Sequence, residues 1–465
     1  VNRSVLDNLH LPEVSELSRA ELISALSHAL DMTEGQPPGH CMRVCWIGMH
    51  IGEKLGLSDE QMWELYYTLL LKDLGCSSNA ARICELYLTD DLAFKREYKW
   101  VNGGLPQVVN FVLKHTGLEA GLAERFRRVL DIFQNGEDYS KELIRTRCER
   151  GAAIARQLRF SEGVAEGIHS LDEHWNGKGK PEGLSGDAIP LYARIALLCQ
   201  VVDVFFLVSG PKAALREARM RTGLWFDPAV VVALEQVAVR PGFWEVLTHP
   251  QLQDFVVSLE PAQHWLPLDD DYMDEIAAAF GQVVDSKSPY TAGHSERVGL
   301  YTDLVAEEMG YSMPVRRWLK RGALLHDVGK LGVSNTVLDK PGKLDPQEWE
   351  AVKMHATYSE QILSRIKAFS ALARVAAAHH ERLDGTGYPR GLQAEEITPF
   401  TRIITTADIF DAISSARPYH EATPTPKTLA IMAQMRGTAL DPNCYAALEA
   451  ALARIPGPIG TAAAD

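Results

Sequence analysis

The sequence predicts an all-α protein built from two copies of one helical unit. Three observations carry this: apolar residues recur at helical spacing, strand signals are scarce, and short motifs occur twice in the same order. Val298, Tyr301, Val305 and Met309 fall three to four residues apart and form one apolar stripe. Arg19–Leu30, Asp59–Leu71 and Pro346–Ile366 read the same way.

The repeat fixes the organisation. Gly39-His40-Cys41-Met42-Arg43-Val44 echoes Gly293-His294-Ser295-Glu296-Arg297-Val298, and Leu69 to Gly75 echoes Ala323 to Gly329, both at an offset of 254 residues. Asn176 to Pro181 echoes Asp384 to Pro389, and Arg194-Ile195 echoes Arg402-Ile403, at an offset of 208. The first copy therefore carries about 46 extra residues (254 less 208), within about Cys76 to Arg145. Asp227-Pro228 and Asp441-Pro442 close the copies alike. The expected domains are residues 1–240 and 271–465. Between them, 241–270 reads as a linker with a short helix, because Pro241, Pro250, Pro261 and Pro267 punctuate it. Residues 455–465, rich in Gly, Pro and Ala, read as a frayed end.

Bulk chemistry narrows the function. An apolar fraction of 46% over 465 residues suffices for sizeable cores. A formal charge of -14 argues against wrapping nucleic acid through phosphate contacts. Seven cysteines without a Cys-x-x-Cys pair read as reduced thiols. The N-terminal residues carry no basic-then-apolar leader, and Ile195 to Val208 reads as too short and too polar for a bilayer span. The expectation is a cytoplasmic protein without a membrane or nucleic-acid partner.

The second copy holds seven candidate metal ligands in order: His294, His326-Asp327, His355, His379-His380 and Asp408. Imidazole with carboxylate suits borderline divalent metals such as Fe, Mn, Zn, Co or Ni. His326-Asp327 follows the apolar run Trp318 to Leu325, and His379-His380 follows Val375 to Ala378. Burying so many ionisable groups costs several kcal/mol each without compensation, and bound cations compensate.

These residues carry a resemblance. His-Asp after a helix, with His upstream and Asp downstream, resembles the HD phosphohydrolase superfamily. His379-His380-Glu381-Arg382-Leu383-Asp384-Gly385-Thr386-Gly387-Tyr388-Pro389 resembles the HD-GYP signature residue for residue, as do the blocks at His326 to Lys330, Lys340 to Leu344, and Asp408 to Ala412 through Arg417-Pro418-Tyr419. The resemblance implies two HD-type helical bundles in tandem, the second a metal-dependent phosphodiesterase that hydrolyses cyclic-di-GMP to pGpG and, in some members, on to GMP. It implies that Asp327 bridges two metals. His294, His326 and Asp408 would complete one, and His355, His379 and His380 the other. Iron or manganese is the expected pair, with zinc, cobalt or nickel as alternatives, activating a hydroxide between them. Lys330 and Arg417 match phosphate-binding positions of the family, and Tyr388 in the Gly-Tyr-Pro loop is expected to face the substrate. Gly385 and Gly387 are expected to allow the tight loop.

Departures from the family pattern refine the expectation. Tyr290 stands where some members carry a Glu that recruits a third metal, so two metals are expected. Ser288 and His420 replace a common Asp and Lys, which leaves base specificity open. Hydrolysis of another cyclic dinucleotide or nucleotide, and a slow-turnover receptor, stay open as alternatives. In the first copy only His40 and Asp73 of the seven ligands survive. Lys72, Arg147, Leu171-Asp172 and Gln200 stand at the other positions, and Lys180 aligns with Tyr388. That copy reads as metal-free and non-catalytic, a regulatory element, a platform, or a contact for a homodimer or signalling partner.

Overall fold

The computed structural model describes residues 19–100, 105–118, 121–261, 269–366, 369–416 and 422–455. Among these the chain is all-α, with isolated bridges but no strand. It divides into two compact units. One is Arg19–Pro267 with Ser334–Thr336, and the other contains Leu268–Val333 and Val337–Asp465. Residues 456–465, read as a frayed end, lie outside the described residues.

The first unit is a bundle around helices Arg19–Thr33, His40–Leu55, Asp59–Leu71, Leu122–Gln157, Glu162–His169, Leu191–Met220 and Pro228–Val237. Local chemistry sets the helix ends. Ser58 and Gln61 form a reciprocal capping box that starts Asp59–Leu71. Asp227 accepts from the Ala229 N–H before Pro228, whose missing donor is harmless in a first turn. The extra residues of this copy include Ala80–Tyr87, Asp91–Tyr98 and Leu105–His115. Together with part of Leu122–Gln157 they close an apolar cluster of Ile83, Leu86, Tyr87, Phe94, Phe111, Val112, Ile132 and Leu143.

The stretch read as a linker packs into this unit. Phe243, Leu247, Leu252 and Val256 are buried, and the Phe243 carbonyl accepts from the Trp46 indole at 3.1 Å. Helix Leu252–Val257 lies in it, while residues 262–268 are outside the described set. Ile195 to Val208 belongs to the 30-residue helix Leu191–Met220, which is long and apolar enough to cross a membrane. However, 67% of its apolar window is buried in the protein core, and Gly210 leaves helical dihedrals inside it.

The second unit repeats the bundle with helices Asp270–Asp285, His294–Glu308, Met313–Leu325, Pro346–Leu363, Ser370–Ala377, Pro399–Ser414, Thr425–Ala433 and Pro442–Ala453. Its core includes Trp318 edge-on to Phe400 at 5.5 Å and Tyr301 edge-on to Phe410 at 4.8 Å. Gly329 lets two site-bearing segments meet. A Cβ there would stand 2.0 Å from the His355 carbonyl oxygen and 2.6 Å from the Ser359 nitrogen. In the space so freed, the Ser359 hydroxyl donates to the His326 carbonyl at 2.7 Å and accepts from the Gly329 N–H at 2.9 Å. Gly75 is in the same position against Arg147 and Gly151 in the first unit.

Candidate metal centre

Five segments of the second unit bring the seven expected ligands together. His294 opens its helix, His326 and Asp327 end Met313–Leu325, and His355 sits within Pro346–Leu363. His379 and His380 follow Ser370–Ala377, and Asp408 lies on Pro399–Ser414. All are buried except His380, which is partly exposed.

Asp327 stands at the middle. Its Oδ2 lies 3.5 Å from His294 Nε2 and 3.2 Å from His326 Nε2. Its Oδ1 faces the other way, 3.4 Å from His355 Nε2 and 3.7 Å from His379 Nε2. Asp408 Oδ1 is 3.5 Å from His294 Nε2 and 3.9 Å from His326 Nε2. Ligand atoms of Asp327, His355, His379 and His380 all lie within 4.8 Å of one another, as do those of His294, His326 and Asp327. Atoms bound about 2.0–2.2 Å from one cation stand roughly 3–3.5 Å apart. The observed spacings need only small contractions to reach that.

The imidazoles are held so that Nε2 points inward. Nδ1 of His326 meets the Ala323 carbonyl at 2.6 Å, and those of His355 and His379 meet Val352 and Ala376 at 2.5 and 2.6 Å. A helix carbonyl accepts only from N–H, so Nδ1 carries the proton and Nε2 is left as the lone-pair nitrogen. His294 Nδ1 is 2.7 Å from the Asp411 carboxylate, which also takes the Arg297 guanidinium at 2.6 Å. His294 Nε2, His326 Nε2 and Asp327 Oδ1 are buried and make no hydrogen bond. Buried polar atoms without partners are costly. His294 Nε2 and His326 Nε2 meet on one side of the Asp327 carboxylate, and its Oδ1 faces His355 and His379 on the other, which fits cation ligands on both sides.

Electrostatics agree with that fit. Burial pushes the pKa of His355 down to about 4 and of His379 to about 3, and holds His380 well below the usual histidine range. These rings are therefore neutral at pH 7, the form that ligates. His294 differs: burial opposes its charge, but Asp327 and Asp411 outweigh that and push its pKa up to about 9, so a cation held there would displace its proton. Asp327 stays ionised despite burial, because His326 and Lys330 favour its charge.

The expected substrate-side residues have separate positions. Lys330, one turn past Asp327, donates to Asp327 Oδ2 and keeps 19% exposure. Tyr388 leans on His380 with ring centroids 4.7 Å apart. Gly387 makes room for that loop: a Cβ there would meet Arg382 N at 2.4 Å and His380 O at 2.6 Å. Arg417 and His420 lie outside the described residues. Ser288 donates to Asp339 at 2.5 Å, and Tyr290 is 42% exposed.

Sequence reasoning missed Asp411 and Arg297. Arg297 was legible only as part of the repeat: Arg43 and Asp203 pair at 2.6 Å in the first unit as Arg297 and Asp411 do here. Since Asp411 orients His294, Asp411→Asn is expected to weaken metal binding about 10- to 100-fold. Titration of the metal-free protein with Mn(II) checks this; an unchanged affinity would remove Asp411 from that role.

At the matching place in the first unit a cation of the chain itself is present. The buried Lys72 ammonium donates to Asp73 and sits 3.2 Å from His40 Nε2. His40 Nδ1 is 2.7 Å from Asp203. Arg147 and Asp172, at the positions of His355 and His380, form an ion pair with each other. Burial opposes the Lys72 charge, but Asp73 and its acidic neighbours raise its pKa overall.

A helical bundle that gathers five imidazoles and a second carboxylate round one aspartate is a centre built for divalent cations. The profile of the HD domain family matches residues 119–230 and 279–444, and the chain belongs to the HD-domain family of phosphohydrolases. It is 59% identical over 437 residues to 3'3'-cGAMP-specific phosphodiesterase 3 of Vibrio cholerae serotype O1, covering 94% of this chain and 95% of that protein. The cyclic di-GMP phosphodiesterase response regulator RpfG of Xanthomonas campestris pv. campestris is 38% identical over 195 residues, covering 41% of this chain and 52% of that protein. A crystal structure of the Vibrio cholerae cyclic GMP-AMP-specific phosphodiesterase V-cGAP3 superposes with a TM-score of 0.65 at 54% identity, covering 94% of this chain and 98% of that one.

Proposed function

We propose that the second unit hydrolyses a phosphodiester bond of a 3'3'-linked cyclic dinucleotide, with 3'3'-cyclic GMP-AMP the preferred substrate. The observation that carries the hydrolysis is Asp327, buried, with its two oxygens facing two sets of inward-pointing imidazoles. The substrate preference rests on a likeness that runs through both units rather than the catalytic one alone.

His294, His326, Asp327 and Asp408 would hold one cation, and Asp327, His355, His379 and His380 the second. Iron or manganese suits this mixed set. Bound there, divalent cations supply Lewis-acid polarisation of a phosphoryl oxygen and lower the pKa of water toward neutrality. The chain's own residues do the rest. Lys330, partly exposed beside Asp327, is the cation that meets a non-bridging phosphate oxygen. Arg417 supplies a second phosphate contact, and Tyr388 bounds the substrate beside His380. Water oxygen joins phosphorus, the P–O3' bond breaks, and the proton that the water gives up is matched by one taken up at O3'. The product is a linear dinucleotide with a 5'-phosphate, pGpG when the substrate is cyclic-di-GMP. The first unit takes no metal, does not catalyse, and acts as a regulatory or partner-binding element.

A second reading, cyclic-di-GMP as main substrate, is favoured by the signature His379 to Pro389 and by relatives such as RpfG. Anaerobically purified protein loaded with Mn(II) or Fe(II) separates the two when kcat/KM is compared for the two substrates. The expected ratio favours 3'3'-cyclic GMP-AMP by roughly 10-fold or more, about 1.4 kcal/mol. Equal or faster turnover of cyclic-di-GMP would establish the second reading. Failure to cleave any cyclic dinucleotide would end both.

A further inference from the structure

We infer that Trp349 is a stacking platform for a nucleobase of the substrate, and that it supplies affinity without selecting the base. This rests on the cyclic-dinucleotide reading above and adds a subsite to it. Trp349 lies in the first turns of Pro346–Leu363, the helix that also carries His355. It is 45% exposed. Six residues separate it from His355, which is roughly 9 Å along a helix axis.

The rings between Trp349 and the metal centre are continuous. Trp349 stands edge-to-face with Tyr388, centroids 5.9 Å apart at 80°. Tyr388 lies 4.7 Å from His380 and 6.3 Å from His355. An aromatic wall therefore leads from two candidate ligands out to solvent. A substrate phosphorus held at the ligand cluster places its ribose and base outward, where this wall ends.

The position of Trp349 is also fixed. Asp345 accepts from the Gln347 and Glu348 N–H groups at 2.8 Å, and Glu348 accepts from the Asp345 N–H at 2.8 Å. Lys340 clamps Glu348 at 2.6 Å. The helix start that presents the indole is thus held by both a capping box and an ion pair. A large half-exposed ring on a fixed backbone loses little conformational entropy when a flat ligand covers it.

Every purine has a π-face, so stacking tolerates exchange of adenine for guanine. The expected signature is a common effect on all substrates. Trp349→Ala should raise KM for each cyclic dinucleotide that the wild type cleaves by roughly 5- to 150-fold, with kcat within about twofold. The ratio of kcat/KM between substrates should not move. Trp349→Phe should restore most of the lost affinity. Adding substrate to metal-loaded wild type should quench, before turnover, a part of the tryptophan fluorescence that Trp349→Phe lacks.

The test uses the metal-loaded chain of 465 residues, with metal content and thermal melts of each variant as controls. If the wild type is active and Trp349→Ala keeps its KM, the platform is refuted while the hydrolase reading stands. A fall in kcat at unchanged KM also refutes it, since the indole would then only be holding Tyr388. If the wild type cleaves no cyclic dinucleotide, it is the hydrolase reading that fails, and the platform with it.

Discussion

Asp327→Ala is expected to strip the second unit of both cations and to lower turnover by more than about 1000-fold. The reason is geometric. Asp327 Oδ1 faces His355 and His379 while Oδ2 faces His294 and His326, so one side chain serves both ligand sets. Its loss also leaves the Lys330 ammonium without its carboxylate partner, free to repel cations from the same space. Metal analysis after anaerobic purification should fall from about two equivalents to well under one. The contrasting variant is His40→Ala in the first unit. His40 Nε2 faces Lys72 rather than an open ligand position, so its loss should leave metal content and turnover near those of the wild type. A chain that keeps two metals and full activity without Asp327 would overturn the proposed centre. Equal losses in both variants would overturn the division of labour between the units.

The candidate ligand cluster was legible in the sequence because its chemistry is locally conspicuous. His326-Asp327 and His379-His380 end apolar helices, where titratable pairs are costly unless something compensates. Other parts were not legible, for definite reasons. Asp411 lies one turn past Asp408 on the same helix and reads as ordinary amphipathic patterning until folding brings it 2.7 Å from His294, 117 residues earlier. Trp349 follows a capping box and reads as an exposed helix position. The prolines of 241–270 are punctuation to a sequence reader, yet Phe243 and Leu252 are buried. Those residues carry no periodicity long enough to announce a packed helix. The repeat located Arg147 and Asp172 at two ligand positions but not their pairing, because a partner 25 residues away is a property of the fold. The metal motif is also silent on the nucleobases, since it touches only phosphate chemistry. Cyclic-di-GMP was the family expectation, and the likeness to a cyclic GMP-AMP enzyme comes from the whole chain.

Lys72→Met is expected to destabilise the first unit by about 3–5 kcal/mol, the cost of leaving one partner of a buried ion pair uncompensated. Lys72 is fully buried with its ammonium on Asp73, and methionine keeps the length of the side chain while removing its charge. Asp73 would keep only the thiols of Cys41 and Cys76, at 3.7 and 3.6 Å, which are weak donors. For a unit of this size the loss corresponds to a midpoint roughly 6–20 °C lower. Lys72→Met with Asp73→Leu removes both charges together and should recover most of the stability, because a matched apolar pair often replaces a buried ion pair at little cost. Chelators supply the complementary comparison. They should lower the melting transition of the second unit, whose buried charges would be balanced by the proposed cations, and leave that of the first unchanged, because Lys72 supplies its positive charge covalently. Unfolding must be followed as two transitions, since a chain of two units has no single midpoint. If Lys72→Met melts within about a degree of the wild type, the ammonium is not the counter-charge of Asp73. The first unit would then owe its stability to its apolar core, and its degenerate site would have lost its metal without a replacement.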